Sequence, residues 1–216
     1  FKGTPKRRFS WDLDFAGYRE EEGRNFTSRG FTPQGALIPG SDFRFNSTTN
    51  QRTNSYITSL DYTEPLGKGT LSFGAKGTWT RTRNTNDYDA LSTIGERHDK
   101  ILFDEHVYAL YADLSQPLSA EWSLRSGLRM EYTHTAGENN GRRLENLRSY
   151  LNIFPTLFIG YNPNERHAFS LDATVRLNRP HFSQLSPFPR YENQYSTLIG
   201  KEDLHASKRA HLALGY

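Results

Sequence analysis

Residues 122–132 read Trp-Ser-Leu-Arg-Ser-Gly-Leu-Arg-Met-Glu-Tyr, and the class of fold follows from how they alternate. Trp122, Leu124, Leu128, Met130 and Tyr132 fall on one side of an extended chain, and Arg125, Arg129 and Glu131 on the other. Such alternation marks a half-buried strand, because successive side chains point to opposite faces. Trp122 and Tyr132 share a face and bracket about 33 Å of strand at about 3.3 Å per residue. Tilted near 45°, that length projects to roughly 24 Å, close to the ~25 Å apolar band between the aromatic girdles of a transmembrane barrel. Core aromatics of a soluble sandwich would give the same pair. The connections between strands argue against that reading.

Period two runs along most of the chain. Phe9, Trp11, Leu13 and Phe15 alternate with Ser10, Asp12 and Asp14; Tyr56, Leu60 and Tyr62 with Ser55, Ser59 and Asp61. Leu71, Phe73, Ala75 and Trp79 form a third row, and Tyr108, Leu110, Ala112 and Leu114 a fourth. Beyond 122–132 follow Leu151, Ile153, Leu157 and Ile159, then Phe169 to Leu177, then Leu212, Leu214 and Tyr216. Eight strands are expected, and no helix. Short connections near 64–69, 115–120 and 162–166 carry Pro65, Pro117 and Pro163, as tight turns do. Long ones near 19–54, 83–101, 135–148 and 179–206 alternate with them and are rich in Asn, Gly, Arg and Thr. A soluble sandwich has no reason to gather every long loop at one end. A membrane barrel has short periplasmic turns and long extracellular loops. Pro155 lies inside a strand, where proline is confined to edges and bulges, so a local ladder defect is expected there.

Composition agrees. Apolar residues make up 35% of the 216, yet aromatics reach 13%, a mix suited to strands rather than to a helical core. The mean hydropathy of −0.77 is low, but only alternate residues of a membrane strand touch lipid. A net charge of +3 from 27 basic and 24 acidic residues is no nucleic-acid footprint. Lys6-Arg7-Arg8 and Arg142-Arg143 are short and sit at strand ends or loops. With no cysteine there is neither a disulfide framework nor a thiolate zinc site. No apolar run approaches the length of a transmembrane helix. Opening on Phe1 with no signal peptide, the chain reads as an excised segment or a processed chain.

Candidate chemistry is sparse. His98 and His106, with Asp99, Asp104 and Glu105 nearby, and His134 on the next strand are the residues to weigh as metal ligands; solvated or girdle histidines are the plainer reading. Glu20-Glu21-Glu22 reads as a solvated loop run. No Gly-x-Ser-x-Gly elbow, P-loop or Gly-x-Gly-x-x-Gly fingerprint is present. The chain is therefore not expected to be an enzyme or to hold a cofactor. Arg176 is expected to face the interior and pair with Asp172 or an acid on a neighbouring strand. Tyr88, Phe182, Tyr191 and Tyr195 are loop aromatics that suit either ligand stacking or loop packing.

Four motifs in order add a resemblance. Leu124 to Thr135, LRSGLRMEYTHT, resembles the "aGLRyEyT" strand of TonB-dependent-receptor-type outer-membrane β-barrels. Phe154-Pro155-Thr156-Leu157-Phe158 resembles that family's "FPslf" strand, and Ser59 to Leu66, SLDYTEPL, its "qlDYthPl" strand and turn. Arg176-Leu177-Asn178-Arg179-Pro180 with Leu185-Ser186-Pro187-Phe188 is similar to "RiNRPsy…LnPf". The chain departs where the family shows "GNPnLkPe": Gly200-Lys201-Glu202-Asp203-Leu204-His205-Ala206 stands there instead. The resemblance implies a larger barrel of about 22 strands with an N-terminal plug that contacts TonB, of which residues 1–216 form one barrel segment. It also implies nutrient uptake across the bacterial outer membrane.

The expectation is therefore an all-β, antiparallel up-and-down meander of about eight strands, part of a transmembrane β-barrel and a single domain over 1–216. The expected partners are the lipid bilayer with its lipopolysaccharide, the plug domain, TonB through the plug, and an extracellular nutrient, with no nucleic acid. Two other readings compete: a complete eight-stranded barrel serving adhesion or structure, and a soluble β-barrel binding a small ligand.

Overall fold

A computed structural model describes residues 6–90, 95–144, 149–193 and 195–216. The elements are β1 (Arg8–Ser28), β2 (Phe43–Leu66), β3 (Gly69–Ala90), β4 (Arg97–Pro117), β5 (Trp122–Asn139), β6 (Arg142–Arg143), β7 (Ser149–Asn164), β8 (His167–Asn178), α1 (Phe182–Leu185), β9 (Arg190–Asn193), β10 (Ser196–Leu198) and β11 (Ser207–Gly215). One antiparallel sheet runs β1-β2-β3-β4-β5-β7-β8-β11, with β6 folded back on β5, and β9 and β10 form a small hairpin of their own. The eight principal strands make the expected meander. Tight turns keep it in sequence order: Gly67, at φ 62°, joins β2 to β3, and Asn140-Gly141, both left-handed, close the β5–β6 hairpin.

Register places the apolar rows on one face. Trp11, Leu60, Ala75, Leu110, Met130 and Ile153 stand opposite one another in turn across six strands. Most of this row is solvent-exposed, with Leu110 at 64%. A water-soluble sheet would bury such a row, whereas lipid accepts it. Aromatics flank the band. Tyr62 meets Phe73 at 5.2 Å and Trp122 stacks on Tyr161 at 4.3 Å towards the short turns; Phe15, Tyr56, Trp79, Tyr108 and Tyr132 stand towards the long loops. The Trp79 indole donates to the Tyr108 hydroxyl at 3.1 Å.

The strands outrun that band. β2 has 24 residues, where a membrane needs about 9–11. Here the sequence reading is corrected. Most of 19–54 and 83–101 is strand, not loop, since β1 and β2 pair up to Ser28 and Phe43 and β3 reaches Ala90. Glu20-Glu21-Glu22 and Tyr88 therefore lie in strands. Polar residues on both faces hid these extensions from a search for apolar alternation. Hydroxyl and amide pairs across the ladder support them: Thr49 with Asn86 at 2.8 Å, Thr53 with Thr82 at 3.1 Å and Ser55 with Thr80 at 2.8 Å. The helix α1 also departs from the expectation of none. It is a single turn, capped by His181.

The expected defect at Pro155 is present on one side only. The β5–β7 ladder passes through Leu128 and Pro155 without interruption, from Trp122 and Tyr161 to His134 and Ser149. The β7–β8 ladder stops at Thr156 and Thr174. Beyond that point β8 continues to Asn178 paired with β11 alone. A proline offers no N–H, so the missing donor falls on the β8 side.

Candidate functional site

Above the upper girdle the strands form a collar whose inner face is covered by the segment between β8 and β11. Parity along each strand decides what faces inward. Phe26, Phe45 and Tyr88 stand on the opposite parity to Phe15, Tyr56 and Trp79, and so point into the collar. Phe45 is 1% exposed and stacks with Phe26 at 5.4 Å, with Tyr88 and Tyr191 at 6.3 and 6.5 Å. Tyr191 comes from β9, so the cluster joins wall and loop. Burial pushes the Tyr88 hydroxyl above its ordinary value, against the opposing effect of a hydrogen bond to the Tyr191 backbone. On β4, Ile101 and Phe103 also turn inward and pack with Leu185 and Phe188, with Phe182 against them.

Ion pairs fasten the loop at several points. The Arg24 guanidinium donates to Glu192 at 3.2 Å and to the Tyr191 carbonyl at 3.3 Å. Burial alone would push the Glu192 carboxyl up; hydrogen bonds from Arg190 and Arg24 outweigh it and hold it below the usual carboxylate range. Arg97 lies over the Phe188 ring at 5.5 Å and pairs with buried Asp99 at 2.7 Å. At the start of the loop Arg179 donates to Glu131 at 2.5 Å and to Thr133 at 3.3 Å, while Arg129 holds the other Glu131 oxygen at 2.6 Å. At its end the Gly200 N–H donates to Ser186 and the Lys201 N–H to Gln184. A Cβ on Gly200 would come within 2.4 Å of the Ser186 carbonyl oxygen, so only glycine fits where 200–206 packs on α1. The loop thus crosses the collar from β8 to β1.

Between loop and wall lies a cavity of about 370 Å³, lined among others by Phe103, Glu105, Tyr150, Arg179, Asp203 and His205. A second, of about 440 Å³, lies deeper, among Tyr111, Arg129, Phe154, Thr174, Arg176 and Arg179. Their mix of aromatic, cationic and anionic walls suits the holding of a ligand.

The sequence candidates are distributed unevenly over this site. Tyr88, Phe182 and Tyr191 converge in it, whereas Tyr195 is 90% exposed. His106 and His134 stand directly opposite at 6.1 Å, on the outward face, and His98 pairs with Asp87 of β3 elsewhere. No three His, Cys, Asp or Glu among the described residues come together as a metal site. Arg176 has no carboxylate partner among the described residues, contrary to expectation: Asp172 shares its face further along β8, but the immediate neighbour on β11 is Arg209. Missed by sequence reasoning were Glu131 with Arg179, and Phe45, Ile101 and Phe103. The one available signal was the change of apolar parity along β1 to β4.

The outward apolar row and its aromatic flanks suit lipid rather than water. No curated protein matches the chain. A family model does, over residues 1–216, described as the outer membrane protein beta-barrel family. With lipid against the outer face and a polar inner face, this chain belongs to that family and resides in the bacterial outer membrane.

Proposed function

We propose that the chain forms the wall of a TonB-dependent-receptor-type transporter for nutrient uptake, acting by binding and passage rather than catalysis. The observation that carries this reading is the 179–206 loop seated across the inner face of the collar. An arriving ligand meets Tyr191, Arg190 and Glu192 there before the membrane band. The four ordered motifs point the same way. On this reading a plug domain fills the lumen below the loop, and TonB acts through the plug. The charged inner residues Arg125 and Lys76 are suitably placed to contact it.

The test is uptake by cells carrying the protein, with and without a protonophore. Energy-coupled import predicts loss of uptake on collapse of the proton gradient, with surface binding retained. Uptake indifferent to the gradient would overturn the proposal and leave a passive pore. The competing adhesin, a complete small barrel, requires β1 and β11 to pair. Cysteines at Leu13 and Leu212 in this cysteine-free chain report that contact directly.

A further inference from the structure

We propose that the seam between β7 and β8 is a lateral portal that admits the hydrocarbon chain of an amphiphile with an anionic head. This stands on the wall geometry and does not depend on energy-coupled uptake.

The ladders on either side of β7 differ. With β5 it continues to Ser149, level with His134 and above the Tyr132–Leu151 pair; with β8 it ends at Thr156. Residues Asn152 to Pro155 and Val175 to Asn178 therefore face each other across an unpaired seam. Leu128, opposite Pro155, lies between Trp122 and Tyr132, so the seam begins within the lipid band and rises to its outer edge. Open backbone edges are not tolerated against hydrocarbon unless they line a cavity, and cavities meet here. On the lipid side a groove of about 700 Å³ runs past Leu128, Pro155, Leu157, Val175 and Leu212. It shares Gly127, Leu128, Thr156, Thr174 and Val175 with the 440 Å³ cavity inside the wall. That cavity in turn shares Leu177 and Arg179 with the 370 Å³ cavity under the loop. The three form one series from the lipid face to the collar.

The charge pattern selects the head group. Arg176 and Arg209 stand directly opposite on the inward face of β8 and β11, and neither has a carboxylate partner among the described residues. Like charges directly across a ladder are destabilising, and an anion held between them would relieve the repulsion. Arg179 approaches from above, although it shares Glu131 with Arg129. A carboxylate or phosphate at Arg176 and Arg209 would leave its chain in the apolar groove at Val175, Leu157 and Leu212. A free fatty acid and an anionic phospholipid share this chemistry.

The protein in lipid nanodiscs is photolabelled with a palmitate analogue carrying a terminal diazirine, and in a parallel arm with a diazirine-bearing phosphatidylglycerol in the bilayer. Saturable adducts on segments 149–157 and 173–180, displaced by unlabelled palmitate, are expected in at least one arm. Palmitate alone indicates entry from water, and the phospholipid arm entry from the membrane. Arg176→Gln with Arg209→Gln, both on exposed positions, should raise the half-saturating concentration about tenfold, the loss of roughly one charge-assisted hydrogen bond. Pro155→Val restores an N–H and should slow amide exchange at 175–178 while reducing labelling. Labelling of the seam no greater than that of segment 69–77 on the plain outer wall, or unchanged by the arginine substitutions, would overturn the portal.

Discussion

The membrane band and the collar are built from the same strands with opposite polarity. In the band Trp11, Leu60, Leu110 and Met130 point outward, while Ser59, Asp61, Lys76 and Arg129 point inward. In the collar Arg19, Glu21, Arg52, Arg81 and Arg83 point outward, while Phe26, Phe45, Tyr88, Ile101 and Phe103 point inward. Across β1 to β4 the register never shifts between the two regions, so the pleat is preserved and only the choice of residue changes. The surroundings of each face therefore set its chemistry. Lipid outside demands apolar side chains, and water outside permits charges. Inside, the open band tolerates polar groups, whereas the loop over the collar supplies apolar partners.

Phe45 is where the contrast between band and collar is most exposed to failure. If the collar has a true core, Phe45→Ala costs about 3–5 kcal/mol, as large-to-small core changes do. Denaturant unfolding in detergent micelles measures it, and a loss under about 1 kcal/mol would mean that the loop merely rests on the wall. Next comes a reciprocal exchange on the outer face. Leu110→Arg in mid-band should cost about 2–4 kcal/mol in lipid vesicles, whereas Arg83→Leu in the collar should stay within about 0.5 kcal/mol. Equal effects would erase the boundary between the regions.

The loop attachment should also respond to pH. The folded Glu192 carboxyl is held below its ordinary value, so its contribution is full above about pH 4.3 and fades as pH falls through the lower folded value. Hydrogen exchange of 185–198 should accelerate on that acid side, and Glu192→Gln should remove the pH-dependent part. Smallest is the outward Arg81–Asp104 pair, 2.7 Å long with Arg81 largely in solvent. Arg81→Gln should cost less than about 1 kcal/mol, and less still at high salt.

Much of this was legible in the residues, but unevenly. Trp122 to Tyr132 is readable in isolation, because lipid leaves an alternating imprint that neighbouring strands need not complete. The upper halves of β1 to β4 carry no such imprint. Thr49, Thr53 and Thr82 are spaced like loop residues, and their strand character comes from partners far away in the chain. The site was the least legible part. Tyr191 and Phe182 were visible as loop aromatics, but nothing local to Phe45 or Glu131 shows that residues 179–206 return to meet them.

Residue pattern alone was enough to specify the all-β meander, its order, the face that meets lipid and the proline that interrupts a ladder. Those follow from period-two patterning, turn residues and the missing N–H, which act over a few residues. Tertiary packing was needed for the height of the collar, the inward fold of the loop, the contacts of Arg179 and Arg129 on Glu131, and the side on which Pro155 opens the wall. Each depends on long-range register and on contacts across tens of residues, where one chain segment supplies the environment of another.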